Sequence, residues 1–246
     1  MIDSLRGQVA LITGAASEIG TAICRELVAA GATVVAADDH YPEVQALALS
    51  LGKQVIPRHL DVTDPDAVRC CIDDMVFVHG GLHIVINNAG MPGRQLETAD
   101  YPLEEWHRVM AVNLHGVFHV MKYAIKPMLA QGQGHLVNIA AELPTNGWAG
   151  SAAYVAARHA LLGMTRSAAA EYADRGLRIN AIGPSFIDAP LPAALQPGEY
   201  AEIVGLKPTG VSDTPEQIAA LACSLLTPDA AQTNGSYQLY EARQPV

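Results

Sequence analysis

The chain is short of positive charge. Fifteen Lys and Arg face 25 Asp and Glu, for a formal net charge of −10, whereas nucleic acid and anionic membrane surfaces both attract the opposite balance. No apolar run approaches the ~20 residues that span a bilayer, so neither a nucleic acid nor a membrane is expected as a partner. Cysteine is scarce too. Cys24, Cys70, Cys71 and Cys223 have no metal-ligand spacing, so no metal is expected and the four read as reduced thiols in a reducing compartment. The first residues turn polar at Asp3, Ser4, Arg6 and Gln8, without the apolar stretch of a secretory leader, and the expectation is a cytoplasmic protein. No Pro/Ser-rich linker, charge run, repeat or low-complexity tract divides the sequence.

What is present is apolar residue in short, regular runs. Half of the 246 residues are hydrophobic, enough for one domain with a sizeable core over residues 1–246. Buried-strand runs fall at Val9–Thr13, Thr33–Ala37, Val55–His59, Ile84–Asn87, Leu136–Ile139, Arg178–Ile182 and Tyr237–Leu239. Helical spacing links them over Ile19–Ala30, Glu43–Leu51, Asp64–Val78, Leu103–Leu129, Ala152–Tyr172 and Pro215–Leu226. Strands alternating with helices predict an α/β fold: a single Rossmann-like, doubly wound domain with a seven-stranded parallel sheet and helices on both faces.

The first strand runs into Thr13-Gly14-Ala15-Ala16-Ser17-Glu18-Ile19-Gly20. In a strand–turn–helix unit such glycines let the main chain approach a dinucleotide pyrophosphate at a helix N-terminus, where free N–H groups favour anions. Asp38 ends the second strand, where a carboxylate accepts from ribose hydroxyls and repels a 2′-phosphate, favouring NAD over NADP. Asp61-Val62 and Asn87-Asn88-Ala89-Gly90 end the third and fourth strands on the same edge.

Asn113, Tyr154 with Arg158 four residues on, and Asn180-Ala181-Ile182-Gly183-Pro184 follow in order. From residue 5 to about 240 the chain resembles the short-chain dehydrogenase/reductase family. The resemblance implies an NAD(P)-type cleft at Gly14, Ser17, Ile19, Gly20, Asp38, Asp61, Val62, Asn88, Ala89, Gly90, Tyr154, Arg158, Pro184 and Ile187. It also implies a small-molecule substrate and a homo-oligomer, tetramer or dimer, built on the long helices flanking the fifth strand. In that family the Tyr is the acid/base on a hydroxyl or carbonyl, a Lys four residues on activates it, a Ser orients the substrate oxygen, and an Asn closes a proton relay. By that resemblance Tyr154, Arg158 and Asn113 are the catalytic candidates.

The departures bear on chemistry. Arg158 replaces the Lys; it keeps a positive charge beside a phenol whose ordinary pKa is near 10, but a guanidinium does not release its proton. Ala141 stands where the Ser would be and has no donor, a loss worth on the order of 10²–10³ in rate; Glu142, Thr145 and Ser151 are nearby substitutes. Glu18 replaces the second glycine of the turn. A carboxylate ~5 Å from a phosphate charge, at an effective dielectric of ~20, is repelled by roughly 3 kcal/mol. Ala189 stands where a Thr contacts the nicotinamide, and Tyr240-Glu241-Ala242-Arg243 replaces an Asp-Gly-Gly ending. Trp148, Met91, Phe186 and Leu191 are candidates for an apolar pocket beneath a proline-rich lid, Leu191 to Thr214. Three functions stay open: an NAD(H)-linked oxidoreductase on a secondary alcohol or ketone with weakened or altered catalysis, a dinucleotide- or ligand-binding pseudoenzyme, and a cofactor-independent lyase resembling halohydrin dehalogenases, which pair a Tyr with an Arg in this way.

Overall fold

The computed structural model describes residues 4–141, 148–184 and 213–239. Seven strands, β1 (Val9–Thr13), β2 (Thr33–Asp38), β3 (Val55–His59), β4 (Ile84–Asn87), β5 (Gly134–Ile139), β6 (Leu177–Gly183) and β7 (Tyr237–Leu239), form one sheet in the order β3-β2-β1-β4-β5-β6-β7. Every neighbouring pair is parallel. The helices are α1 (Glu18–Ala29), α2 (Tyr41–Leu51), α3 (Pro65–His79), α4 (Leu103–Met110), α5 (Val117–Gln131), α6 (Ala152–Tyr172) and α7 (Pro215–Ser224).

Alternation along β1 shows why both faces are covered. Ala10 and Ile12 enter one buried cluster with Ile23 and Leu27 of α1, Val44 of α2 and Ile218 of α7. Val9 and Leu11 enter the other, with Ile72 and Met75 of α3, Met121 and Met128 of α5, and Leu161 of α6. A strand buried on both faces reads as a continuous apolar run, as β1 and β4 do. The doubly wound arrangement with helices on both faces is as expected.

Local chemistry sets the helix ends. Asp64 caps α3 by accepting from the N–H groups of Asp66 and Ala67, with Pro65 in the first turn and Gly80 left-handed at the end. Thr214 and Gln217 form a capping box on α7. Among the described residues no helix is long and apolar enough to cross a membrane.

One expectation needs correction. The helical pattern from Leu103 to Leu129 is not a single α-helix: a π-helical segment, Ala111–Gly116, separates α4 from α5. Gly116 lies so close to Val62 that a Cβ would sit 2.6 Å from its Cγ2. The wider winding carries Asn113 inward to complete burial, and π segments often mark functional positions.

Candidate active site

The sheet order reverses between β1 and β4, and the crevice beyond their carboxyl ends is where ligands of such sheets bind. In this chain the crevice is hydrogen-bonded across. Thr13 Oγ1 accepts from the main-chain N–H of Asn88 at 3.1 Å and of Ala89 at 3.2 Å. Asn88 Nδ2 returns to Gly14 O at 2.8 Å and Ser17 Oγ at 3.0 Å. Ser17 is the N-cap of α1, accepting from Gly20 N–H at 3.1 Å and donating to Gly14 O at 2.8 Å. The glycines are steric necessities. Gly14 has φ +65°, and a Cβ there would lie 2.8 Å from Ala89 Cα; at Gly20 it would strike the Gly14 carbonyl and lie 2.8 Å from Ala15 Cα. This close-packed turn at the head of α1 suits the phosphates of a dinucleotide. Ile19 is partly buried beside the turn, and Glu18 is exposed at the first helical position.

Asp38 is 8% exposed. Its Oδ2 accepts from Ala16 N–H at 2.9 Å and its Oδ1 from His40 N–H at 3.0 Å, so the carboxylate ties the end of β2 to the glycine turn. Burial pushes the Asp38 carboxyl above the ordinary range, while the amides of His40 and Ala16 pull it down. Asp39 is held low by hydrogen bonding with Asp38, and the exposed His40 ring is raised by Asp39, 2.7 Å away. Beyond β3, Asp61 is exposed and closes a turn, its Oδ1 accepting from Thr63 N–H at 2.8 Å and Oγ1 at 2.7 Å. Val62 is buried against Gly116.

The catalytic candidates converge on the β4–β5 edge. Tyr154 sits in the first turn of α6 with the Trp148 ring set edge-on at 6.4 Å and 86°. Arg158, one turn on, is 5% exposed rather than solvated, with its Cζ 5.2 Å from the Tyr154 ring centroid. A simple backbone argument explains its inward turn. Ala140 N–H bonds to Ile182 O on β6, so Ile139 faces β4. There β4 has ended, and the next N–H groups, of Asn88 and Ala89, are held by Thr13. The Ile139 carbonyl is taken by Arg158 Nη1 at 2.7 Å. Gly90 is exposed and makes room for the guanidinium: a Cβ there would collide with Arg158 Nη2 and lie 2.9 Å from Asn113 Oδ1. Among the described residues Arg158 Nε is buried without a hydrogen-bond partner, and no carboxylate pairs with Arg158.

Asn113 acts as a clamp. Its Oδ1 accepts from Met91 N–H at 3.1 Å, and its Nδ2 donates to Met91 O at 2.8 Å and Val109 O at 3.0 Å. Val109 O is the carbonyl to which an unbroken α-helix would bring the Asn113 N–H. Ala141 is half-buried, and its carbonyl accepts from the Tyr237 hydroxyl. Ser151 is buried at the head of α6, and Pro184 is buried where β6 ends. Ile187, Glu142, Thr145, Phe186, Ala189, Leu191 and the expected lid up to residue 212 lie outside the described residues, as does the segment beginning at Tyr240; the lid's expected last residue, Thr214, is the cap of α7.

Sequence reasoning missed three supports. Thr13 organises the crevice. Tyr237 reaches it from the last strand. Asn138 on β5 accepts from Asn87 Nδ2 at 2.8 Å and donates to Thr165 Oγ1 at 2.8 Å, fixing α6 to the sheet. An amide inside an otherwise apolar strand run was the available signal for Asn138.

The family model described as Enoyl-(Acyl carrier protein) reductase matches residues 14–240. The chain belongs to the short-chain dehydrogenase/reductase family. It is 36% identical over 239 residues to the cyclohexanol dehydrogenase of Acinetobacter sp. (strain SE19), covering 96% of this chain and 94% of that protein. Among solved structures, levodione reductase matches with a TM-score of 0.91 at 30% identity, covering 96% of this chain and 97% of that one. NAD+-bound xylitol dehydrogenase matches with a TM-score of 0.89 at 26% identity, covering 96% and 98%. The short-chain family supports an oxidoreductase, and the glycine turn sits within the matched span.

Proposed function

We propose that the chain is an NAD(H)-linked oxidoreductase interconverting a secondary alcohol and its ketone. The observation that carries this reading is the convergence of Tyr154, Arg158, Asn113 and Gly90 on the crevice that begins at the glycine turn. Gly14, Ser17, Ile19 and Gly20 would hold the pyrophosphate, Asp38 the adenosine ribose, and Asp61, Val62, Asn88, Ala89, Gly90 and Pro184 the remaining length of the cofactor. A nicotinamide bound there supplies the hydride acceptor or donor. Asp38 supports NAD over NADP, since its buried carboxylate repels a 2′-phosphate.

Tyr154 moves the proton. Its phenolic oxygen takes the hydroxyl proton of an alcohol on oxidation and returns it to a carbonyl oxygen on reduction. Arg158 places a fixed positive charge against the Tyr154 ring, and the buried site strengthens that attraction. Because the guanidinium keeps its proton, Arg158 orients Tyr154 and does not carry a relay. Asn113 holds Met91 and so shapes the wall beside Gly90. Ala141 offers the substrate oxygen no donor, which supports slow turnover on the order of 10²–10³ below a site with one. The Trp148 edge gives the cleft an apolar wall, and the relatives named for cyclohexanol and levodione support alicyclic alcohols as the first class to try. A homo-oligomer is part of the same reading: Leu103 on α4 and Phe118 on α5 are exposed, and light scattering on the purified chain would report the 26.0 kDa mass of one chain if the reading fails.

The test is NAD+ binding by calorimetry, followed by reduced-nicotinamide absorbance with cyclohexanol as probe. Binding with slow turnover, accelerated by Ala141→Ser, supports the proposal. No binding at millimolar NAD+ overturns it. Binding with turnover only in the Ala141→Ser/Arg158→Lys double variant would make the chain a dinucleotide-binding pseudoenzyme. Halide release from a vicinal haloalcohol without cofactor would make it a lyase.

A further inference from the structure

The last strand of the sheet reaches the catalytic edge through one side chain. Tyr237 opens β7, paired with Ala181 of β6. It packs on the sheet face that α6 covers. Its ring lies over Gly183, where a Cβ would sit 2.7 Å from both Cε2 and Cζ of the ring. Beyond Gly183 the hydroxyl donates to Ala141 O at 2.5 Å, a link across 96 residues of sequence.

That carbonyl lies where the sheet has run out of donors. Pro184 follows β6 and has no N–H to offer Ala140 O, so the β5–β6 ladder ends at the bond from Ala140 N–H to Ile182 O, one residue before Ala141. Two residues earlier, Ile139 O is taken by Arg158. Carbonyls 139 and 141 are thus secured by side chains from two different elements, α6 and β7, at the point where the chain leaves β5 for Trp148 and Tyr154.

We propose that Tyr237 is a positioning residue for proton transfer. Its hydroxyl latches the exit of β5 at Ala141 and so holds that end of the strand in place beside Arg158, which binds Ile139 O, and Tyr154 one turn before it. Gly183 is the matching permissive position, because a side chain there would displace the ring. The role in turnover rests on the assignment of Tyr154 as the acid/base; the latch itself does not.

The experiment uses the full chain in a Trp106→Phe background, which leaves Trp148 the sole tryptophan. Tyr237→Phe keeps the ring over Gly183 and deletes the hydroxyl. Expected are faster amide exchange in the peptide containing Ala140 and Ala141, a shift in Trp148 emission, and kcat lower by about tenfold with the NAD+ KM unchanged. Exchange unchanged at Ala140 and Ala141 overturns the latch. Faster exchange with unchanged kcat overturns the positioning role, as does a kcat loss matched by an equal loss of folded protein. Should the parent chain show no turnover, the functional reading falls and exchange with Trp148 emission still decides: both must change, and a change in exchange alone overturns the proposal.

Discussion

At the scale of single residues, the site is governed by two charges in unusual places. Glu18 heads α1 in the space of the glycine turn. Because it is exposed, water screens the ~3 kcal/mol repulsion expected of a fixed carboxylate, leaving ~1 kcal/mol. Glu18→Gly is expected to tighten NAD+ binding by up to about tenfold, read by calorimetry at low and high salt; no gain at low salt would show that the carboxylate points away. Arg158 is the opposite case, a buried cation pressed against Gly90. Gly90→Ala should abolish turnover while Arg158 is present and regain part of it when combined with Arg158→Lys, whose slimmer end leaves room. Additive losses in the double variant would sink that coupling. Tyr154, Asn113 and the glycine turn were legible because their spacing is a motif. The inward course of Arg158 was not, since it depends on the Ile139 carbonyl left unpaired when β4 ends, a fact of strand lengths rather than of residue type.

At the scale of elements, the π segment between α4 and α5 is the feature that sequence periodicity could not supply. Six residues wound more widely barely disturb an apolar pattern spread over the whole run from Leu103 to Gln131. The strands and most helix limits were readable from apolar runs and their caps, and the parallel order followed from alternation with helices. What fixes the π segment is side-chain chemistry: fully buried Asn113 donates to Met91 O and Val109 O and accepts from Met91 N–H. Asn113→Ala leaves those main-chain groups unpaired, with an expected loss of ~2–3 kcal/mol in denaturant unfolding. A change below ~0.5 kcal/mol would mean that water or a return to α-helical winding replaces the clamp.

At the scale of the whole molecule, the edge of the sheet opposite the site carries a pH-dependent load. His135 on β5 lies within hydrogen-bonding distance of Arg178 on β6, and burial, helped by the Arg178 charge, pushes the imidazole down to about 4. The unfolded chain takes up this proton near pH 6.5 and the folded chain does not until about pH 4. Stability tied to His135 is therefore fully present above pH 6.5 and lost as pH falls through that window, by at most ~3 kcal/mol. Comparing melting temperatures of the parent chain and His135→Gln across these pH values checks this: the variant should fall less steeply, and parallel curves would refute it.

The seam of Thr13, Asn88 and Ser17 across the β1–β4 crevice has a kinetic consequence. Walls bonded to each other by side chain and main chain at 2.8–3.2 Å leave little to rearrange, so the dinucleotide should meet a socket already shaped. Its association in stopped flow should be a single exponential whose rate rises linearly with concentration, and a plateau would betray an opening step in that seam.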